Sequence, residues 1–516
     1  MLVNDERSAR DYAYGWQVTV EGRETAGHSG QGRLEPAETL FVPLSFRAPA
    51  VVGKAKAEGS IGLSARIGTR RHQDRFAFRV FAPPQPLSAT VTLYDPQGKS
   101  RPMLQALGCT VEQWSPSSQG LIVIGREALS SGPPLPFDLE ATVRGGRRVL
   151  ILTQDPQWLG RQMGFRVAAQ LSRRVFAVDG EHPLMHDLDA EDLRDWRGQS
   201  TLVEAYPPPE LQKPAWRSPV HGFHWGNRGA LSSAALEKPH RSGWRPLLQC
   251  EFDLAYTPLM ELDWGQGRLT LCTLDLEDHV AFDPAAGVLA GNLIRYAATA
   301  PLYPRAQRTI LLGDEQDRKL LDLLGVAYAA SPRIEPQADL VILGRPAKCD
   351  ETQIRGYVQR GGHVLLLAQS SPAAGLGVEL VQSRSFAGSL QVPSWAECRG
   401  LGVSDLHWRS ETGAWLVKGG AEVGAEGLLG RVREGKGVAV FCQMDPERLE
   451  AESKTYFRLT RWRQTRALAQ LLANLGASFK ADECGVGLKS PPSGLYHPDY
   501  RQDFESGDDP YRYFRW

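Results

Sequence analysis

The strongest constraint on this chain is that it repeats itself. The stretch "RGGRRVLILTQDP" (144–156) returns as "RGGHVLLLAQSSP" (360–372). In each copy a glycine pair turns the chain, an unbroken apolar run follows, and a polar cluster stops it. Such a run reads as a strand buried on both faces. The echo extends to "QGLIVIGR" (119–126) and "ADLVILGR" (338–345), and then to "GQGRLTLCTLDL" (265–276) and "GKGVAVFCQMDP" (435–446). It closes with "LAGNLIRYA" (289–297) and "LLANLGA" (471–477). Order is preserved, and strand signals alternate with helical ones. That pattern predicts an α/β protein with two tandem doubly wound, flavodoxin-like domains, over 86–300 and 301–480. The offset between the copies jumps before "GQGRL", which places an insertion at about 205–250 in the first copy.

The flanks read differently. Over 1–85, "YGWQVTV", "TLFVPLSF", "SIGLSARI" and "DRFAFRVF" alternate apolar and polar residues between turns. That predicts a small Ig-like β-sandwich. "APPQPLS" then forms a linker. Residues 481–516 lack periodicity but carry many tyrosines, and read as an extended aromatic tail.

Fifty-nine basic residues balance 59 acidic ones. This argues against nucleic acid as a partner, because phosphate binding needs a basic field. No apolar stretch approaches the roughly 20 residues of a membrane span. The opening "MLVNDERSARDYAYGW" lacks a signal pattern. The chain as given is expected to be soluble and cytoplasmic, or periplasmic or secreted if a leading portion is missing. The seven scattered cysteines form no Cys-x-x-Cys pair and predict neither a disulfide framework nor a zinc site.

Chemistry in such a fold is sought at the carboxyl ends of the strands. Those positions hold Asp95, Arg126, Gln154, Asp155 and Asp275 in the first copy, and Asp314, Arg345, Gln369, Ser370 and Asp445 in the second. Gln154/Gln369 and Asp275/Asp445 recur, which favours a shared structural job such as tying loops. No Gly-x-Ser-x-Gly or cysteine elbow is present. Cys272 and Cys442 sit at matching positions inside apolar strands and read as core. The Gly-x-Gly segments precede their strands, whereas a dinucleotide fingerprint must follow one; no cofactor is expected. His221, His224 and His240 with Glu237 match no metal-ligand spacing, so no metal is expected either. Asp253, Glu261, Asp263, Asp275 and Asp278 crowd the region after the insertion. Glu261 and Asp275 are the candidate acid/base pair of a glycosidase. Trp225, Asn227 and Trp244, with Gln154, Asp155 and Asp253, are candidate ligand contacts.

The strand–Gly-Gly–strand order resembles the class I glutamine amidotransferase-like fold, without its cysteine elbow. That departure implies no amidotransferase activity. Over nearly the whole chain, "VNDERSA", "YGWQV", "WGNRGALSS", "CEFDLAYTPLMEL", "GQGRLTLCTLDL" and "DDPYRYFRW" resemble the C-terminal region of multidomain proteins of the glycoside hydrolase family 2, β-galactosidase-like, group. The resemblance implies that a catalytic barrel, as a preceding domain or a partner chain, carries the catalytic glutamates, so none transfers to a position here. The expected role is a non-catalytic accessory scaffold that packs domains, forms oligomer contacts and contacts carbohydrate. The alternatives are a stand-alone glycosidase using the 253–278 carboxylates, and a small-ligand-binding scaffold.

Overall fold

A computed structural model describes residues 1–168, 171–203, 205, 226–240, 242–345, 350–372, 375–449 and 455–480. The chain divides into two compact units, the first Met1–Gln85 and the second beginning at Pro86.

The first unit is built on four long strands, β1 (Arg10–Val20), β2 (Arg23–Leu34), β3 (Lys56–Ile67) and β4 (Arg70–Phe81). They form one antiparallel sheet in the order β2-β1-β3-β4. This corrects the expected sandwich. Of "TLFVPLSF", only Thr39–Leu40 enters a ladder, pairing with Leu2–Val3. Pro43 and Pro49 cannot donate to a ladder, and Phe41 is 74% exposed. Alternating hydrophobicity identified strands here but could not report a second layer for them to face.

The second unit holds two seven-stranded sheets. The first uses β5 (Thr90–Tyr94), β6 (Thr110–Gln113), β7 (Leu121–Ile124), β8 (Arg148–Ile151), β9 (Arg245–Pro246), β10 (Leu259–Trp264) and β11 (Gly267–Cys272), in the order β6-β5-β7-β8-β11-β10-β9. The second uses β12 (Thr309–Leu312), β13 (Ala329–Ala330), β14 (Leu340–Leu343), β15 (His363–Leu367), β18 (Glu422–Gly424), β19 (Leu429–Glu434) and β20 (Gly437–Cys442), in the order β13-β12-β14-β15-β20-β19-β18. A hairpin of β16 (Glu379–Ser389) and β17 (His407–Gly419) stands apart from that sheet.

The two orders are the same, position for position. In each, the first five strands pair in parallel and the last two pairings are antiparallel, so only the penultimate strand runs against the rest. Both faces of each sheet are covered. In the first, Leu121, Val123 and Leu150 pack with α1 (Arg101–Ala106), α4 (Leu276–His279) and α5 (Pro284–Thr299), while Ile122, Val149 and Ile151 pack with α2 (Leu139–Arg144) and α3 (Pro156–Gln162). In the second, Leu340, Ile342 and Leu365 face α6 (Glu315–Leu323) and α8 (Thr455–Asn474), while Val341, Val364 and Leu366 face α7 (Glu351–Gln359). Double burial explains why these strands are unbroken apolar runs.

The Gly-x-Gly segments have a packing role. A Cβ on Gly267 would lie 2.1 Å from the Arg147 carbonyl oxygen and 2.2 Å from that of Val143. A Cβ on Gly437 would likewise lie 2.3 Å from the Gly362 carbonyl oxygen and 2.2 Å from that of Val358. In both copies the antiparallel hairpin is pressed against the turn that precedes the central strand, and only glycine fits.

Candidate functional site

The loops after β5, β7, β8 and β11 converge at the carboxyl edge of the first sheet. Asp95 accepts bonds from the Lys99, Ser100 and Arg101 amides at 3.1, 2.8 and 3.0 Å. Ser100 Oγ accepts from the Arg126 amide at 2.8 Å and donates to Glu277 Oε1 at 2.7 Å. Arg126 itself pairs with Asp278 at 2.9 Å and donates to Thr201 Oγ1 at 2.6 Å. Burial pushes the Glu277 carboxyl up to about 7. Its Oε2 is shielded from water and has no hydrogen-bond partner among the described residues.

The sequence-nominated residues are placed as follows. Asp275 is fully buried; it accepts from Ser200 Oγ at 2.7 Å, from the Ser233 amide at 3.2 Å and from the Ser233 hydroxyl. Burial raises its pKa. Glu261 is also fully buried, 3.2 Å from Arg268, and accepts from the Tyr296 hydroxyl at 3.0 Å. Burial raises it as well, and Arg268 opposes the shift. Arg268 also grips Asp263 at 2.6 Å. Asp253 pairs with Arg463, and Asp278 with Arg126.

The structure thus places both acid/base candidates, Glu261 and Asp275, in the interior. Both carboxyls are enclosed among their own partners, with no open face for a glycosidic oxygen or a water. Residue type and proximity in sequence could not show that β10 turns Glu261 into the interior.

Trp244 is 1% exposed and stands edge-on to Phe165 with centroids 5.7 Å apart, so it is a core residue and not a stacking platform. Asn227 donates to the Ser200 carbonyl at 2.9 Å and ties the insertion to the segment that precedes it. Asp155 caps α3 by accepting from the Trp158 amide at 2.8 Å. Trp225, His221, His224, Cys349, Cys484, the tail 481–516 and much of the insertion lie outside the described residues. Glu237 pairs with Arg166 at 3.5 Å, and the His240 ring lies 4.2 Å from that of Trp462. Among the described residues no group of three or more His, Cys, Asp or Glu side chains could hold a metal ion.

The strand registers make the repeat residue-specific. They give Gln154 and Gln369, Cys272 and Cys442, and Asp275 and Asp445 equivalent positions in the two sheets. Gln154 Nε2 donates to the Gly125 and Leu152 carbonyls at 2.9 and 2.8 Å. Gln369 Nε2 makes the same two bonds, to Gly344 and Leu367, at 3.2 and 2.6 Å. Both glutamines therefore lace adjacent strand ends. Both cysteines are fully buried, and burial raises their thiol pKa values. In the second copy, Arg345 bridges Asp317 and Asp445 at 3.0 and 3.1 Å.

The two strand edges differ in what lies over them. In the first copy the insertion crosses the edge, with Ser232 bridging to Leu274 and the Asp275 amide donating to the Leu231 carbonyl at 2.8 Å. In the second copy the corresponding edge borders a cavity of about 220 Å³, lined among others by Gln369, Gln443, Trp408, Trp415 and Gln464. Sequence comparison missed Gln464, Ser100 and Glu277. For Gln464 a signal existed: Thr460 and Gln464 lie on the same stripe of α8 as Ala467, Leu468 and Leu471, and all five are fully buried.

The two strand edges thus define one buried polar lattice and one cavity, built on a duplicated frame. No protein-family model matches the chain, and no curated protein matches it. Among solved structures, the exo-beta-1,4-mannosidase Op5Man5 from Opitutaceae bacterium strain TAV5, a glycoside hydrolase, is a weak neighbour at 13% identity and a TM-score of 0.20. The match spans 37% of this chain and 38% of that one, and at that TM-score it carries no argument. Among the described residues no helix is long and apolar enough to cross a membrane.

Proposed function

We propose that this chain is an accessory scaffold of a glycoside hydrolase family 2-like, β-galactosidase-like protein. It would be built from two amidotransferase-like domains, hold its place beside a catalytic barrel or partner chain, and contact carbohydrate. The common strand order of the two sheets, with helices on both faces, supports the fold assignment. The reading is carried by the engagement of Asp253, Glu261, Asp275 and Asp278, each in an ion pair or a set of hydroxyl and amide contacts. A glycosidase needs two carboxyl groups facing a shared substrate space, and these four face their own partners.

The test is direct. Purified chain that melts cooperatively should show no turnover of aryl β-galactosides or β-mannosides and should bind soluble polysaccharides. Turnover that disappears in Glu261→Ala or Asp275→Ala while the fold persists would overturn the scaffold reading in favour of a stand-alone glycosidase.

A further inference from the structure

The second copy's cavity has the marks of a built site. Gln464 is fully buried on α8 and lines the cavity, yet neither its amide nitrogen nor its amide oxygen has a hydrogen-bond partner among the described residues. Burying both ends of an amide without partners is costly, and native interiors rarely do so. Trp408 lines the same space at 4% exposure, and its Nε1 also lacks a partner among the described residues.

Comparison with the first copy shows that these groups are particular to this site. The segment "DLRDWR" (192–197) of the first copy answers "DLHWR" (405–409) of the second, so Trp196 stands where Trp408 does, and Trp196 donates its Nε1 to the Asp192 carbonyl at 2.9 Å. Aligned on Asn292 and Asn474, α8 begins roughly three turns earlier than α5, and Gln464 lies within that extension. The floor beneath is fixed. Gln443 donates to the Gln369 and Trp415 carbonyls at 2.8 and 3.2 Å and accepts from the Gln369 amide at 3.1 Å.

The lining selects its ligand. Asp445 is paired with Arg345 at 3.1 Å, and the other charged residue of the lining, Arg448, is exposed to solvent, so the buried part of the lining offers amides and indoles. An amide that can both donate and accept, set among aromatic faces, suits vicinal hydroxyls on an apolar ring. At about 220 Å³ the space is smaller than the roughly 300–1,000 Å³ of pockets for drug-sized ligands. We infer that this cavity binds a single small uncharged sugar ring, held by the Gln464 amide between Trp408 and Trp415. The inference rests on the reading that the protein contacts carbohydrate.

Titration calorimetry on the full chain, with galactose, mannose, glucose and xylose offered singly and a soluble mannan or galactan offered in parallel, tests it. At least one monosaccharide should bind. Gln464→Leu should weaken that binding by about tenfold or more while leaving the melting temperature equal or higher, because the unpaired amide is gone. Trp415→Ala, at a half-buried position, should weaken it too and keeps the test open if Gln464→Leu does not fold. Monosaccharide binding unchanged in both variants, or polysaccharide binding without any monosaccharide binding, would overturn this site and leave the scaffold reading standing. Binding of no carbohydrate would overturn both.

Discussion

Lys238 Nζ lies 3.9 Å from Asp405 Oδ2, and this contact joins the first copy of the repeat to the second with both side chains all but removed from water. Arg466 donates from Nε to the same carboxylate at 2.6 Å, and Gln249 accepts from Lys238 at 2.7 Å. Burial works against the Asp405 charge, but Arg466 and Lys238 together hold its pKa down to about 2. Arg463, one turn earlier on α8, reaches Asp253 in the first copy. The two copies are clasped through buried charge.

Removing the anion should hurt more than removing either cation. Asp405→Ala strands Lys238 and Arg466, and is expected to destabilise by about 3–5 kcal/mol in chemical denaturation. Lys238→Met leaves Arg466 to satisfy Asp405 and should change stability by less than about 1 kcal/mol. Equal losses would show that Lys238 is an essential member of the clasp. Burial lowers Lys238 from 10.5 to about 8. Between those values the unfolded chain holds the proton that the folded chain has released, so stability should rise with pH across that window. A wild-type profile parallel to that of Lys238→Met from pH 8 to 10 would contradict this.

Glu277 predicts the opposite slope lower on the pH scale. Its folded pKa is raised from 4.5 to about 7, so between these values the folded chain binds the extra proton. Stability from this group should fall as pH rises through that window, with a penalty on the order of 3 kcal/mol above it. Glu277→Gln should match wild type at pH 4.5, melt several degrees higher at pH 8, and flatten the slope between them. Thermal scans at four or five pH values would decide.

The paired glutamines predict paired costs. Gln154→Leu and Gln369→Leu each remove the amide donor shared by two strand-end carbonyls, and each should destabilise by about 1–3 kcal/mol. A large effect at one position and none at the other would show that the duplicated bonds no longer do duplicated work.

Trp244→Ala separates packing from recognition. Removal of this fully buried indole is expected to destabilise by about 3–5 kcal/mol with no change in sugar affinity for the molecules that remain folded. Lost affinity at unchanged stability would restore Trp244 as a ligand contact.

The repeat was legible because its signals are local. An apolar run between a glycine turn and a polar stop forms a buried strand wherever it occurs, and Gln154 and Gln369 announced their common task by recurring. The burial of Glu261, Asp275 and Trp244 was not legible, because residue type does not reveal which way the chain turns its side chains, and all three face inward. The second layer expected over 1–85 failed at Pro43 and Pro49, where alternation continued but pairing could not. Gln464 escaped because the matched segments begin after the turns of α8 that have no counterpart. A comparison built on likeness passes over what one copy gained alone.

The hairpins at Gly267 and Gly437 bear on how the halves could drift apart in evolution. A side chain at either position collides with main-chain carbonyls of the neighbouring turn, which cannot retreat without opening the sheet. Each half thus carries a fixed hinge pin around which nearly everything else is free to vary. One half used that freedom to lay an inserted segment across its strand ends; the other used it to lengthen a helix over a hollow.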